Sequence, residues 1–88
     1  MEIRYCKDFL AEFSKLPKFI QKKLVALEEV FRENPFHPYL HTKGLHGKLR
    51  DFYSFRITRD YRVVFQLVNK SEALFLVIGH RKDIYKKS

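Results

Sequence analysis

The apolar period of this chain changes once, across a segment rich in proline and glycine, and that change constrains its fold more than any other feature. Before the segment, Ile20, Leu24, Leu27 and Phe31 recur at i, i+4, i+7 and i+11, with Val30 beside them. This is one stripe of an amphipathic helix. Lys18, Gln21, Lys22, Glu29 and Arg32 cover much of its other side. After the segment the period is two. Tyr53, Phe55 and Ile57 alternate with Ser54, Arg56 and Thr58, and Val63, Phe65 and Leu67 alternate with Arg62, Val64 and Gln66. Such alternation belongs to strands with one covered face. Residues 73–78 are apolar on both faces, as in a central or covered strand. Between the two regimes, residues 35–48 carry Pro35, Pro38, Gly44 and Gly47 and read as a loop.

The N-terminal part completes the order. Residues 2–6 alternate weakly and suit an edge strand. Phe9, Leu10 and Phe13 fall on one face of a short first helix, with Asp8 placed as its N-cap and Glu12 near the positive end of its dipole. Pro17 suits the first turn of the second helix, where its missing N–H is harmless. Asn34-Pro35 ends that helix, because a residue before proline is pushed out of the α region. Short connections at 58–60 and 69–72 favour antiparallel hairpins. The expected fold is α+β: an N-terminal strand and a helix hairpin packed on one face of a small, mainly antiparallel sheet. The sheet's other face is free to carry function. Residues 1–88 are expected to form a single domain, with Lys86-Lys87-Ser88 as a frayed tail.

Composition narrows the partners. Eighteen Lys and Arg face ten Asp and Glu, a net charge of +8. That excess points to nucleic acid, an anionic membrane surface or an acidic protein. Aromatic residues near the basic positions of the C-terminal half suit bases as well as phosphates. The single cysteine, Cys6, cannot form an intrachain disulfide, which fits a reducing compartment. The start, Met1-Glu2-Ile3-Arg4-Tyr5, lacks the pattern of a signal peptide, and no apolar run approaches the ~20 residues that span a bilayer. The expectation is a soluble cytoplasmic protein without membrane contact.

Two arginines stand out. Arg62 interrupts an apolar strand pattern, and Arg81 closes the last one. A guanidinium is always charged and is rarely buried without a partner. Two on neighbouring strands would grip an anion, and in so basic a chain the anion is a phosphate backbone. The alternative is that Arg62 is neutralised by Asp60, Asp83 or Glu72. Register decides what faces it. A connection with Thr58-Arg59-Asp60 at its centre sets Arg56 opposite Arg62; a two-residue connection sets Ile57 there instead. The histidines His37, His41 and His46 are four and five residues apart in a Pro/Gly loop with no cysteine cluster, and read as surface residues rather than metal ligands. Ser54 has no identifiable base, and Cys6 reads as a small buried or edge residue. No glycine-rich phosphate loop is present, and no cofactor is expected.

From Leu45 onward the sequence resembles the RelE/ParE toxin superfamily of bacterial and archaeal toxin–antitoxin modules. The resemblance lies in Leu45-His46-Gly47-Lys48-Leu49, Tyr53-Ser54-Phe55-Arg56-Ile57, Asp60-Tyr61-Arg62-Val63-Val64-Phe65 and Ile78-Gly79-His80-Arg81-Lys82-Asp83-Ile84-Tyr85, in that order. The helix hairpin before it is compatible. The resemblance implies a compact sheet with two N-terminal helices. It also implies a metal-independent endoribonuclease that cuts messenger RNA, usually on the ribosome, by attack of a ribose 2′-OH on the adjacent phosphodiester. That reaction needs a proton acceptor, a cation at the developing phosphorane charge and an acid for the leaving oxygen.

By the same resemblance, Arg62 matches the strand arginine that stabilises the phosphate. Arg81 matches the arginine or histidine after the last strand. Tyr85 matches a C-terminal aromatic used for base stacking or proton transfer, and Arg56 a basic or histidine position. Lys48, Arg50, Arg59 and Lys82 are candidate contacts to the RNA backbone. The pattern also departs from the family. RelE uses a pair of strand lysines where this chain has Ser54 and Arg56. Near Lys43, YoeB-like relatives carry a glutamate and YafQ-like relatives a histidine. Lys43 and His46, with His41 and His80 behind them, are therefore the candidates for proton transfer. A small antitoxin, acidic where it covers the arginines, is the implied protein partner. Two other functions share the fold: gyrase inhibition of the ParE type, and binding without catalysis.

Overall fold

The computed structural model describes residues 1–84. Strand β1 (Glu2–Tyr5) leads into helices α1 (Lys7–Ser14) and α2 (Lys18–Glu33). Strands β2 (Lys43–Gly44), β3 (Tyr53–Arg56), β4 (Tyr61–Asn69) and β5 (Glu72–His80) follow. They form one five-stranded sheet in the order β1-β5-β4-β3-β2. The β2–β5 part is an antiparallel meander, and β1 is an edge strand as its weak alternation predicts. Two features were not anticipated. β1 runs parallel to β5, with Ile3 beside Ala73 and Tyr5 beside Phe75. The segment 35–48 is not wholly irregular: it holds β2 and 3-10 turns at Pro38–Leu40 and Gly47–Leu49.

The core forms where the two periods meet. Ile20, Leu24 and Phe31 of the α2 stripe are buried, with Leu27 and Val30 at its margin. The Phe31 ring lies 5.5, 4.9 and 5.0 Å from those of Phe55, Phe65 and Phe75, so one helix residue spans three strands. On α1, Phe9 is buried against Tyr5 and Phe75, but Leu10 is 52% exposed. An eight-residue helix at the β1–β5 corner turns only a narrow face inward.

The helix starts differ from expectation by one or two residues. Cys6, not Asp8, is the cap residue of α1; its backbone is extended and its side chain makes no cap bond. Its thiol donates instead to the Leu76 carbonyl at 3.2 Å. Asp8 lies within the first turn, where its carboxylate still suits the dipole. Pro17 is the cap of α2 rather than its first residue, and its carbonyl accepts from Ile20 and Gln21 N–H. The Gln21 side-chain amide donates to the carbonyls of Phe13 and Leu16, closing the hairpin.

Two further features shape the sheet. Glu28 of α2 is buried and accepts a hydrogen bond from the Tyr5 hydroxyl of β1. Burial first, and that bond second, push the Tyr5 phenol up to about 12. The second is a bulge in β5. The ladder pairs Val64 with Val77 but Phe65 with Phe75, leaving Leu76 as the extra residue. The bulge switches the phase of β5, so Ala73, Phe75 and Ile78 all face the helices. Gly79 is thereby turned to the opposite face. Among the described residues, no helix is long and apolar enough to cross a membrane.

Candidate functional site

The three-residue connection between β3 and β4 sets the register. Ile57 N–H donates to the Tyr61 carbonyl at 2.8 Å, and Thr58 Oγ1 accepts from the N–H groups of Asp60 and Tyr61 at 3.3 Å. The Ile57–Tyr61 pair is hydrogen-bonded across the strands, so the next pair, Arg56 and Arg62, is the closer non-hydrogen-bonded kind. Such pairs bring Cα atoms to about 4.5 Å. Their strand neighbours Phe55 and Val63 are fully buried toward the helices. Alternation therefore places both arginines on the face away from them.

That face reads as three successive rungs, each roughly 6.7 Å from the next along the strands. The middle rung is Arg56, Arg62 and Gly79. One side of it carries Lys43, Ser54, Val64 and Val77. On the other, Arg81 continues the ladder: its N–H donates to the Asp60 carbonyl at 2.7 Å, and its Nε lies 3.7 Å from Asp60 Oδ1.

Two of the three acidic groups named as partners for Arg62 are engaged elsewhere. Asp60 pairs with Arg81, and Glu72 is held by Arg4. The bond from Arg4 holds the Glu72 carboxyl below its ordinary range, while Glu72 raises the Arg4 guanidinium. Among the described residues neither Arg56 nor Arg62 makes an ion pair. The Nε of Arg56 is buried and has no hydrogen-bond partner among the described residues. Like charges directly opposite one another repel, and a buried N–H without an acceptor costs about 1–3 kcal/mol. A bound anion removes both penalties. Gly79, beside Arg62, leaves room for one: no described atom lies within 4 Å of where its Cβ would stand.

The structure thus brings Arg56, Arg62, Arg81 and Lys43 onto one face. His46 precedes the exposed turn that carries Lys48 and leads to Arg50, beyond the Lys43 end of the sheet. Gly47, in that turn, has φ +64, a conformation that favours glycine. Arg59 lies in the β3–β4 connection and Lys82 follows Arg81; both are exposed at the opposite end. The RNA-contact candidates therefore bracket the rungs rather than cluster. Tyr85 lies outside the described residues. His80 is turned from the rungs toward Tyr61, 5.6 Å away, and its Nδ1 accepts from Lys82 N–H. Ser54 is buried beside Lys43. Sequence reasoning missed Gly79 and the part played by Asp60. A glycine inside a strand pattern was the available signal for the first, since it marks a close approach. The cleft lined by Asp8, Glu12, Leu76 and Val77 lies beside α1 and meets the rung of Lys43, Ser54 and Val64 at Val77.

Known structures share this architecture. The chain is similar to the YoeB/ParE toxin from Agrobacterium tumefaciens, at 15% identity and TM-score 0.79, over 92% of this chain and 99% of that one. It is similar to a chain of the RelB–RelE antitoxin–toxin complex from Methanococcus jannaschii, at 24% identity and TM-score 0.76, over 96% of each. A chain of the RelBE2 toxin–antitoxin complex from Mycobacterium tuberculosis gives 21% identity and TM-score 0.77, over 91% of this chain and 96% of that one. At these identities the likeness is one of fold. No curated protein matches the sequence. The family model described as the ParE toxin of the type II toxin–antitoxin system parDE matches residues 3–85. A match that runs from β1 through the last rung and past it takes in the helix hairpin, the meander and every cationic position described above, and the chain belongs to that ParE toxin family, within the RelE/ParE superfamily.

Proposed function

We propose that this toxin is a metal-independent endoribonuclease that cleaves messenger RNA, engaging it on the ribosome, in the cytoplasm. The observation that carries the reading is the opposed Arg56–Arg62 pair on the face away from the helices, with the buried Arg56 Nε lacking an acceptor among the described residues. A phosphodiester satisfies both groups at once. In the reaction a ribose 2′-oxygen attacks phosphorus and gives up its proton. The P–O5′ bond breaks and the 5′-oxygen takes a proton, leaving a 2′,3′-cyclic phosphate and a 5′-hydroxyl. Arg62 and Arg56 lie against the non-bridging oxygens, where charge grows in the transition state. Arg81, aimed by Asp60, meets the strand one nucleotide away or the leaving oxygen. Lys43, on the adjacent rung, is the best placed of the proton-transfer candidates; His46 reaches the site only from its exposed turn. Tyr85 supplies base stacking or proton transfer. Lys48, Arg50, Arg59 and Lys82 hold the backbone on either side. The whole chain acts as one domain.

Two of the similar structures are toxin–antitoxin complexes, which supports a small cognate antitoxin as partner, acidic where it covers the arginines. The matching family model favours a second reading, inhibition of DNA gyrase by a ParE-type toxin. Primer extension on total messenger RNA after brief induction separates the two. New cuts within translated frames are expected for the wild type and absent for Arg81→Ala. Growth arrest without cuts, with gyrase inhibited, would replace the nuclease reading. Neither cuts nor arrest would leave a noncatalytic binder.

A further inference from the structure

Strand β1 ends the sheet, and half of its backbone polar groups face outward. Glu2 N–H donates to the Ser71 carbonyl at 2.7 Å and Cys6 N–H to the Phe75 carbonyl at 3.1 Å. Alternate residues of a parallel strand bond to the same neighbour, so Arg4 also turns its peptide groups to β5. Ile3 and Tyr5 turn theirs away from it, and among the described residues no strand lies beyond β1. The side chains divide by face. Ile3 and Tyr5 pack against the core, while Glu2 and Arg4 are exposed on the other side. Tyr5 also lines an apolar groove with Leu10 and Val25, which are 52% and 57% exposed. An unpaired edge of this kind is a template for another strand.

The order of charges along β1 identifies that strand as β1 of a second copy. Two copies related by a two-fold axis pair antiparallel, with one residue opposite itself. Centred on Glu2 the register opposes two carboxylates, and centred on Arg4 it opposes two guanidiniums. Centred on Tyr5 it sets Ile3 against Lys7, which already belongs to α1. Centred on Ile3, each Glu2 faces Arg4 of the second copy, and the outward N–H and C=O groups of the two Ile3 residues bond to one another. Arg4 has donors to spare. Its Nε serves Glu72, but its nearest contact to Glu2 of its own chain is 3.8 Å, too long for a hydrogen bond. We propose that this protein self-associates through β1, in the register centred on Ile3, so that two sheets become one continuous sheet. The helices of both copies then lie on one side of it, with the groove of Leu10 and Val25 beside the seam, and the arginine rungs of both on the other. The inference is independent of the nuclease reading.

The test is sedimentation equilibrium of the full-length protein from micromolar to millimolar concentration, with amide hydrogen exchange at Ile3 followed by NMR. Glu2 and Arg4 are exposed, so replacing them leaves the core untouched. A monomer–dimer equilibrium is expected, with Ile3 N–H exchange slowing as the dimer fills. Every cross-strand pair occurs twice in a two-fold interface, so Glu2→Arg and Arg4→Glu should each weaken the dimer about tenfold or more. The double variant Glu2→Arg/Arg4→Glu exchanges the charges and should regain the dimer; its new guanidinium stands opposite Glu72, so that carboxylate keeps a partner. A monomer throughout the range would overturn the proposal. So would equal weakening in the single and double variants, because charge order would then not matter. A dimer that survives both single variants but is lost in Val25→Asp would overturn it too, and move the contact to the helix groove.

Discussion

At the residue scale, two guanidiniums face each other across β3 and β4 in an arrangement that opposes stability. Arg56 contributes a buried N–H without an acceptor among the described residues and a like charge opposite Arg62. Replacing it with an apolar chain of similar length relieves both. Arg56→Met should raise the urea midpoint, by about 1 kcal/mol in unfolding free energy, while weakening RNA cleavage. Sulfate should stabilise the wild type more than this variant. Arg62→Ala should lose more cleavage than Arg56→Ala, because Arg62 borders the open space at Gly79. Equal and intact cleavage in both variants would remove the assignment. The same space gives a test that leaves every charge in place. Gly79→Val should fold, since no described atom meets the new Cβ, yet lose RNA binding by filling the notch.

At the scale of elements, the contact between β1 and α2 depends on a polar pair that the hydrophobic stripe does not reveal. Glu28 lies one position from Leu27, and the helical pattern alone assigns it no partner. Tyr5 supplies one, and its phenol is raised from 10.0 to about 12. A proton held more tightly in the folded state stabilises it fully below the unfolded value. That contribution is lost as pH rises from 10 through about 12. Tyr5→Phe should remove this alkaline component from the pH dependence of the urea midpoint. At neutral pH it should also destabilise by about 1–3 kcal/mol, because the Glu28 carboxylate loses its donor. A wild-type alkaline profile in Tyr5→Phe would show that the pair does not govern it. The bulge at Leu76 is the other decisive local feature. It lets Ile78 join Phe75 in the core and sends Gly79 to the arginine face.

Across the whole molecule, hydrophobic packing and charge occupy opposite sides of one sheet. The helices cover the aromatic core, while cations run from the Lys48 and Arg50 turn through Lys43 and the arginine rungs to Arg59 and Lys82. RNA binding to such a track should weaken linearly in log affinity against log salt, with a slope near −0.7 for each phosphate neutralised on a single strand. Arg62→Ala should make that slope shallower by about 0.7. A slope unchanged in Arg62→Ala would mean that Arg62 meets no phosphate.

Periodicity and composition alone determined the α2 stripe, the strands β3, β4 and β5, the turns between them and the placement of Arg56 and Arg62 on patterned strands. These follow from spacing along the chain, because a helix or strand turns side chains to fixed sides of its own axis. Tertiary structure decided the rest. It selected the register that opposes Arg56 and Arg62, where the sequence allowed either Arg56 or Ile57. It paired β1 parallel to β5, matched Asp60 with Arg81 and Glu72 with Arg4, and joined Tyr5 to Glu28. Each of these joins groups far apart in sequence or depends on a one-residue shift in a ladder, and local propensity carries almost no energy difference between the alternatives. Only simultaneous burial of Phe31, Phe55, Phe65 and Phe75 in one core selects among them.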